Sequence, residues 1–421
     1  MTHAPNPDWP RLWPDFSTLC GFGGRLSGTD SEANARQWLL ARIGEIPGAT
    51  VTSQPIDYRG WLRHEGLISI VDQPGQSAAA TALMLSPATP PGGLEAEVVD
   101  LGEGTAADFA AAGDLTGRIA LVRHGYAFSP DHTHRSVKYH MARDKGAAAF
   151  LIANALTDGL VTGSSGNGEE NDIPAAGIAE KTAAMLTAPN GAGVRARLEL
   201  DTSWPAGQAA NLIAEVPGET DEWVVLSAHL DGHDLGQSAI DNASGVVVAL
   251  AVAEALAAIP GKLHRGLRLC LFNVEEWNLT GSKHYIDNLS PAERAAIMLN
   301  VNLDVVVGAE KLSALVSGFI ALEPWLERLA SKVGDNLAYH RPLVRNSDHY
   351  NFAEVGIPAF RLLAGFGEPQ SNVRHLLTPG DTVDKVTPQE LQRAATLVAE
   401  IVRAGCTEPD INFRREEDRQ Q

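Results

Sequence analysis

Cysteine and basic residues are scarce in this sequence. Three cysteines occur in 421 residues, and their odd number and wide spacing argue against a disulfide framework or a cysteine-based zinc finger. Lysine and arginine number 33 against 52 aspartate and glutamate residues, which gives a formal net charge of −19. Nucleic acid and anionic membranes require clustered basic residues, so we expect neither as a partner.

Long apolar runs are also missing. The longest, residues 246–259, is interrupted by Glu254 and is shorter than the ~20 residues that a membrane-spanning helix needs. The first 16 residues contain several prolines and no continuous apolar stretch, unlike a secretory signal. We therefore expect a cytoplasmic protein, and whether it forms a homo-oligomer is left open.

The composition is that of a globular protein, with 44% hydrophobic and 20% charged residues. At about 150 residues per domain, the length predicts two or three domains. From Asn211 onward, apolar runs of strand length alternate with helical stretches. This alternation predicts an α/β fold with a largely parallel central sheet that is buried on both faces.

Residues 81–206 are richer in alanine, glycine and proline than the rest of the chain. Strand-like runs at 118–122 and 147–153 flank a helical stretch at 136–145. We expect a small inserted α/β domain at 81–206, and a main domain made of residues 1–80 and 207–421.

Polar side chains follow the buried strands of the main domain at the points where the strands end. They are His229 and Asp231, Glu275 and Glu276, Asp304, and, after a loop, His375. Open α/β sheets bind ligands just beyond the carboxyl ends of their strands, so these side chains are expected to converge on one crevice. Imidazole and carboxylate ligands suit zinc or a similar divalent ion.

Asp241 adds a further carboxylate to this set. It stands 12 residues after His229 and immediately before the helix that begins near Ser244. A lone aspartate at such a position is more often a helix cap than a ligand. The other strand-end residues reverse that preference, and we expect Asp241 to bind metal.

Three segments of the main domain carry a resemblance to a known family. They are residues 229–245, which read His-Leu-Asp-Gly-His-Asp-Leu-Gly-Gln-Ser-Ala-Ile-Asp-Asn-Ala-Ser-Gly, residues 272–276, Phe-Asn-Val-Glu-Glu, and residues 302–304, Asn-Leu-Asp. Together they resemble the zinc exopeptidases of peptidase family M28, which include aminopeptidases and a plasma glutamate carboxypeptidase. Residues 114–125 and 145–154 resemble the protease-associated (PA) domain that many members carry as an insert.

The resemblance implies an α/β/α sandwich with a mixed, mostly parallel central sheet. It also implies two divalent ions per chain, with zinc the expected metal. His229 and Asp304 would hold one ion, Glu276 and His375 would hold the other, and Asp241 would bridge the two.

The resemblance further implies that Glu275 is the general base and that Asp231 orients His229. These roles are physically consistent, because two metal ions held by a shared carboxylate acidify a water molecule and polarise a carbonyl. A carboxylate beside that water can take its proton. A carboxylate hydrogen-bonded to a ligating histidine fixes which ring nitrogen carries the proton.

The last expected ligand departs from the family pattern. The family has His-Thr-Pro there, whereas this chain has Leu377 before Thr378-Pro379. We prefer a loop lengthened by two residues, with His375 as the ligand. Arg374 stands where several aminopeptidases have a tyrosine; it could bind substrate or be a surface residue.

Two further histidine-containing segments remain. His349 lies in residues 346–352, which resemble a family segment lining the substrate cleft, and we take it as a substrate-binding candidate; otherwise it caps a helix. The insert contains a histidine group, His132, His134 and His140. Arginine and lysine neighbours would repel a cation, so we do not expect metal there.

The favoured function is a zinc-dependent metallopeptidase, an exopeptidase that hydrolyses peptides or dipeptides, with aminopeptidase the preferred activity. An amidohydrolase acting on a small non-peptide or N-acyl amide is the alternative, because the specificity pocket cannot be identified from one sequence. A non-catalytic receptor-like protein and a single-metal glutaminyl-cyclase type are disfavoured, since the expected ligands are all present.

Overall fold

The computed structural model describes residues 9–129, 132–166, 168–169, 171–187, 194–259, 261 and 263–415. The chain forms two compact units. The first comprises the described parts of Met1–Asp57, Gln208–Val373 and Asp381–Gln421. The second comprises those of Tyr58–Gly207 and Arg374–Gly380, so the predicted insert at 81–206 lies inside it.

In chain order, the strands are β1 (Thr50–Arg59), β2 (Leu62–Ile70), β3 (Gln73–Ala79), β4 (Thr81–Ala82), β5 (Leu94–Asp100), β6 (Ile119–His124), β7 (Ala149–Asn154), β8 (Ala175–Ala179), β9 (Arg195–Ser203), β10 (Ala206–Val216), β11 (Trp223–His229), β12 (Gly266–Phe272), β13 (Ile297–Leu303), β14 (Leu312–Leu315), β15 (Leu337–His340) and β16 (Ala359–Ala364). The helices are α1 (Leu12–Gly21), α2 (Asp30–Ile43), α3 (Ala106–Ala112), α4 (Arg135–Asp144), α5 (Glu180–Met185), α6 (Ser244–Ala257), α7 (Thr280–Asp287), α8 (Pro291–Ala296), α9 (Leu322–Lys332), α10 (His349–Glu354) and α11 (Pro388–Thr407). A π-helical turn, Ala239–Ala243, precedes α6, and 3₁₀ turns lie at Asn372–His375 and Val383–Lys385.

The sheet of the first unit has the strand order β1-β10-β12-β11-β13-β16-β14-β15. Strands β12, β11, β13 and β16 run parallel, whereas β10 and β14 pair antiparallel with β12 and β16. Helices α6 and α11 pack together and against β11, and α10 packs against α7, β13 and β16. This arrangement confirms the predicted α/β fold with a mixed, mostly parallel sheet.

Helix α6 occupies the centre of this unit. The helical segment Ala239–Ala257 has the length and hydropathy of a membrane span, but 78% of it is buried inside the protein. A helix that is apolar on every face is typical of a core surrounded by other elements. The neighbouring α11 is held at its start by a capping box between Thr387 and Glu390, with proline at its first position.

The sheet of the second unit has the order β3-β2-β9-β5-β6-β7-β8-β4. Strands β5 to β8 are parallel, and the predicted helix between β6 and β7 is α4. Strand β4 is only two residues long. The unit includes residues from Tyr58 onward, because β2 pairs along most of its length with β9 and over its last four residues with β3.

Candidate active site

The parallel strands of the first unit bring three of the predicted residues together. His229 is the last residue of β11, Asp304 directly follows β13, and Glu275 lies in the turn after β12. Because these strands are neighbours and parallel, their carboxyl ends lie at one edge of the sheet. One ligand atom from each residue lies within 4.8 Å of the other two.

Two carboxylates face the same imidazole nitrogen. His229 Nε2 lies 3.0 Å from Asp241 Oδ1 and 3.5 Å from Asp304 Oδ1. Both oxygen atoms are buried, and neither accepts a hydrogen bond of good geometry from the part of the chain that the structure describes. Buried polar atoms are nearly always satisfied, so this donor set is left for a ligand to complete. One imidazole and two carboxylates are a donor set that zinc accepts, and the residues present therefore fit the metal.

Unusual backbone conformations flank two of these side chains. Val274, directly before Glu275, has φ = +57°, and Val305, directly after Asp304, has φ = +63°. β-branched residues rarely occupy this left-handed region. Such conformations persist where the surroundings enforce them and concentrate at functional sites. Here they turn the chain sharply next to Glu275 and Asp304.

Asp231 connects two strand ends. Its backbone carbonyl accepts a hydrogen bond from His229 Nδ1 at 3.2 Å, while its carboxylate lies 3.7 Å from that nitrogen. The carboxylate accepts the backbone N–H groups of Glu275 at 3.1 Å and of Glu276 at 3.3 Å. Asp231 therefore orients His229 mainly through its carbonyl, and its carboxylate fixes the turn that carries both glutamates.

Asp241 is held by its backbone. The buried carboxylate of Asp381 accepts the N–H of Asp241 at 3.2 Å and that of the preceding residue at 2.7 Å. The next side chain, Asn242, donates to the carbonyl of Leu303 at 2.8 Å and accepts the N–H of Gly245 at 3.1 Å. A Cβ atom on Gly245 would lie 2.5 Å from the Leu303 carbonyl oxygen, so this close approach requires glycine.

Sequence reasoning missed several residues that build the site. Arg25 is fully buried and donates to the carbonyls of Leu230 at 3.0 Å, Gln237 at 2.9 Å and Ser238 at 2.8 Å. It thereby holds the loop that connects β11 to Asp241. Asp381 and Arg361 were also missed. Arg25 lies close to the start of the chain. We identified no local pattern that marks Arg25, Arg361 or Asp381 as part of a site.

The pKa values of the site residues depend on one another. Burial lowers the pKa of His229, but Glu275, Asp231, Asp241 and Asp304 outweigh burial and hold it well above its usual value. Burial raises the pKa of Glu275 well above its usual value, although His229 opposes the shift. Burial would also raise the pKa of Asp304, but Arg361 and His229 hold it below its usual range. The excess of carboxylates favours a bound cation.

His349, Arg374 and His375 are the remaining predicted site residues. His349 is fully buried at the start of α10, and neither ring nitrogen has a hydrogen-bond partner among the described residues. Burial, assisted by Arg361, lowers its pKa to about 3, so the ring is neutral. Arg374 and His375 end the 3₁₀ turn Asn372–His375 and group with the second unit. The metal-binding roles of Glu276 and His375 stay predictions.

Fold and site together define a metal-dependent hydrolase of the α/β class. The model of peptidase family M28 matches residues 211–402, and the PA domain model matches residues 94–186. The chain belongs to peptidase family M28 and contains a PA domain, as the resemblance implied. It is therefore a zinc-dependent metallopeptidase.

Relatives and solved structures agree with this assignment. Aminopeptidase YwaD of Bacillus subtilis is 29% identical over 387 residues, which cover 90% of this chain and 81% of the relative. Probable leucine aminopeptidase 2 of Aspergillus fumigatus is 30% identical, covering 85% of this chain and 70% of the relative. The structure of BSAP, a zinc aminopeptidase from Bacillus subtilis, matches with a TM-score of 0.77 and 25% identity over 98% of both chains.

Proposed function

We propose that this protein is an aminopeptidase that releases the N-terminal residue from peptides or dipeptides and uses two divalent ions, with zinc the native metal. The observation that carries the proposal is the convergence of Asp241 and Asp304 on His229, with Glu275 beside them. The names of the two relatives, aminopeptidase YwaD and probable leucine aminopeptidase 2, support this substrate class.

The proposed metal ligands divide into two sets. His229 and Asp304 would hold one ion, Glu276 and His375 would hold the other, and Asp241 would bridge them. When bound, zinc polarises the scissile carbonyl and lowers the pKa of a water molecule toward neutrality.

Glu275 is the proton carrier in this proposal. Burial raises its affinity for a proton, which suits a group that takes a proton from water and returns it to the leaving amine. Its backbone N–H donates a hydrogen bond to the Asp231 carboxylate, which fixes the position of the backbone that carries the Glu275 side chain. Asp231 therefore acts on the reaction by positioning Glu275 as well as His229.

Substrate contacts are proposed for His349 and Arg374. The buried ring of His349 is neutral, and its donor and acceptor nitrogens have no hydrogen-bond partner among the described residues, which leaves both available for a substrate once the ring is reached. Arg374 offers a cation to a developing negative charge or to a substrate carboxylate. We also propose a cytoplasmic location, supported by three cysteines that are buried and free.

The test is metal analysis combined with a substrate panel. The purified protein is stripped of metal, reconstituted with zinc and analysed for bound ions. It is then assayed on amino-acid amides, dipeptides and N-acyl amino-acid amides. About two zinc ions per chain and cleavage only of substrates with a free α-amino group are expected. One ion at saturation would contradict the second site, and preference for N-acyl substrates would replace the aminopeptidase with an amidohydrolase.

A further inference from the structure

A buried cation lies beside the predicted metal ligand Asp304. Arg361 is on β16 and pairs in register with Asn302 of the adjacent parallel strand β13. Alternate residues of a strand point to the same side of the sheet, so Asn302 and the position of Asp304 share a side. Arg361 is only 2% exposed, and its side chain reaches Asp304 from the neighbouring strand.

The contacts of Arg361 distinguish the two oxygens of Asp304. Arg361 Nη2 forms an ion pair with Asp304 Oδ2 at 3.1 Å, and Nε donates to the Asp304 backbone carbonyl at 3.3 Å. Nη1 donates to the carbonyl of Asn346 at 2.8 Å, which anchors the guanidinium from the other side. Asp304 Oδ1 accepts no hydrogen bond from any residue that the structure describes and lies 3.5 Å from His229 Nε2.

We propose that Arg361 is a positioning residue that restricts Asp304 to one metal-binding oxygen, Oδ1. The inference rests on the proposed metal site at His229, Asp241 and Asp304. A guanidinium is planar and permanently charged, so it holds Oδ2 in a fixed direction and neutralises part of the carboxylate charge. A carboxylate that binds through both oxygens would occupy two coordination positions of the ion. When only Oδ1 binds, the second position stays open for water or substrate, as catalytic zinc sites require.

The direct test is a crystal structure of the zinc-loaded wild-type enzyme. The expected result is a zinc ion bonded to Asp304 Oδ1, with Oδ2 still paired with Arg361. Both oxygens within about 2.2 Å of one zinc ion would overturn the proposal. Zinc absent from His229 would instead overturn the proposed function on which it rests, so the two failures are distinguishable.

Variants test the consequence in solution with cobalt in place of zinc. Arg361→Met frees Oδ2 to bind metal, and we expect loss of visible cobalt absorption, because five- and six-coordinate cobalt absorbs more weakly than four-coordinate cobalt. Turnover should fall about 10- to 100-fold, as for other residues that orient a metal ligand. Arg361→Lys retains a cation near Oδ2 and should restore much of the absorption.

Arg265 supplies the matched control. It is also 2% exposed and pairs with a carboxylate, Glu222 Oε2, at 2.7 Å. Arg265→Met should lower thermal stability and leave the cobalt spectrum unchanged. An unchanged spectrum in Arg361→Met would show that Arg361 is only structural. If Arg361→Met does not fold, the zinc-loaded wild-type structure decides the proposal by itself.

Discussion

Both units of this protein contain histidines beside charged side chains, but the charges that surround them are opposite in sign. In the first unit, His229 faces four carboxylates, and its pKa lies well above the usual value although burial opposes the shift. In the second unit, burial followed by Lys138 and Arg135 lowers the pKa of His132 to about 4. Burial and Arg135 lower the pKa of the buried His124 well below its usual value.

The comparison shows that histidine count does not identify a metal site. A neutral imidazole can bind a metal, but the arginine and lysine charges beside His124 and His132 oppose a cation. Carboxylates around His229 favour a cation and supply further ligands. The neighbours of a histidine, which come from distant parts of the chain, therefore decide its role.

The largest expected effect comes from removing one histidine from each unit and comparing the two variants. His229→Ala should lose at least one equivalent of bound zinc and all measurable turnover, because it removes a ligand. His132→Ala should retain zinc and activity. Elemental analysis of both reconstituted variants is the measurement. Loss of zinc from the His132 variant would show that the second unit binds metal after all.

Glu275→Gln separates catalysis from metal binding within the first unit. Glutamine matches glutamate in size but cannot take a proton, so turnover should fall about 10²- to 10⁴-fold with little change in KM. Bound zinc should be unchanged. Glu276→Gln is the control, and it should weaken zinc binding as well as turnover. Zinc loss confined to the Glu275 variant would mean that the two roles are exchanged.

We expect the stability of the second unit to fall in acid, because His132 binds a proton more readily in the unfolded chain than in the folded one. The pKa of His132 is about 4 when folded, against an ordinary value of 6.5, so the unfolded chain binds its proton first. The stability that the neutral ring contributes is complete above about pH 6.5 and is lost as the pH falls toward 4. Calorimetry of the metal-free protein at pH 7 and pH 5 should show this loss.

His132→Gln should reduce the dependence on pH, because it removes the titrating group. Equal slopes in the wild type and the His132 variant would refute the assigned cause.

The prediction with the smallest expected effect tests whether a loss of stability in one unit leaves the stability of the other unchanged. Thr105 caps α3 in the second unit, and Thr387 caps α11 in the first, each through a capping box. Replacing either by alanine should cost about 1 kcal/mol, because an N-terminal amide loses its partner. Hydrogen exchange should locate each loss in its own unit, and serine at either position should restore it. A loss spread equally over both units would contradict separate stability.

Much of the first unit was predictable from apolar runs alone. Strand β13 coincides with the apolar run at 297–303, and β11 covers the apolar run at 223–228 and one further residue, His229. Buried strands in a parallel sheet are continuous apolar runs, which makes their ends visible as the first polar residues. This is why His229, Glu275 and Asp304 could be placed at one edge before any coordinates were known.

The residues that hold these ligands were not predictable in the same way. Arg361 looks like an interruption of an apolar strand, and Asp381 looks like a turn residue. Their partners are 57 and 140 positions away in the chain, in Asp304 and Asp241. No local periodicity encodes a hydrogen bond across that distance.

From the sequence alone we could identify the alternation of strands and helices, the family resemblance and the candidate ligands. These depend on local apolar patterns and on short motifs, which one chain displays directly. Only the tertiary structure decided that the Asp231 carboxylate holds the Glu275–Glu276 turn and that Arg361 takes one oxygen of Asp304. Such contacts arise when neighbouring strands and loops bring distant side chains within 3 to 4 Å, and folding alone sets those distances.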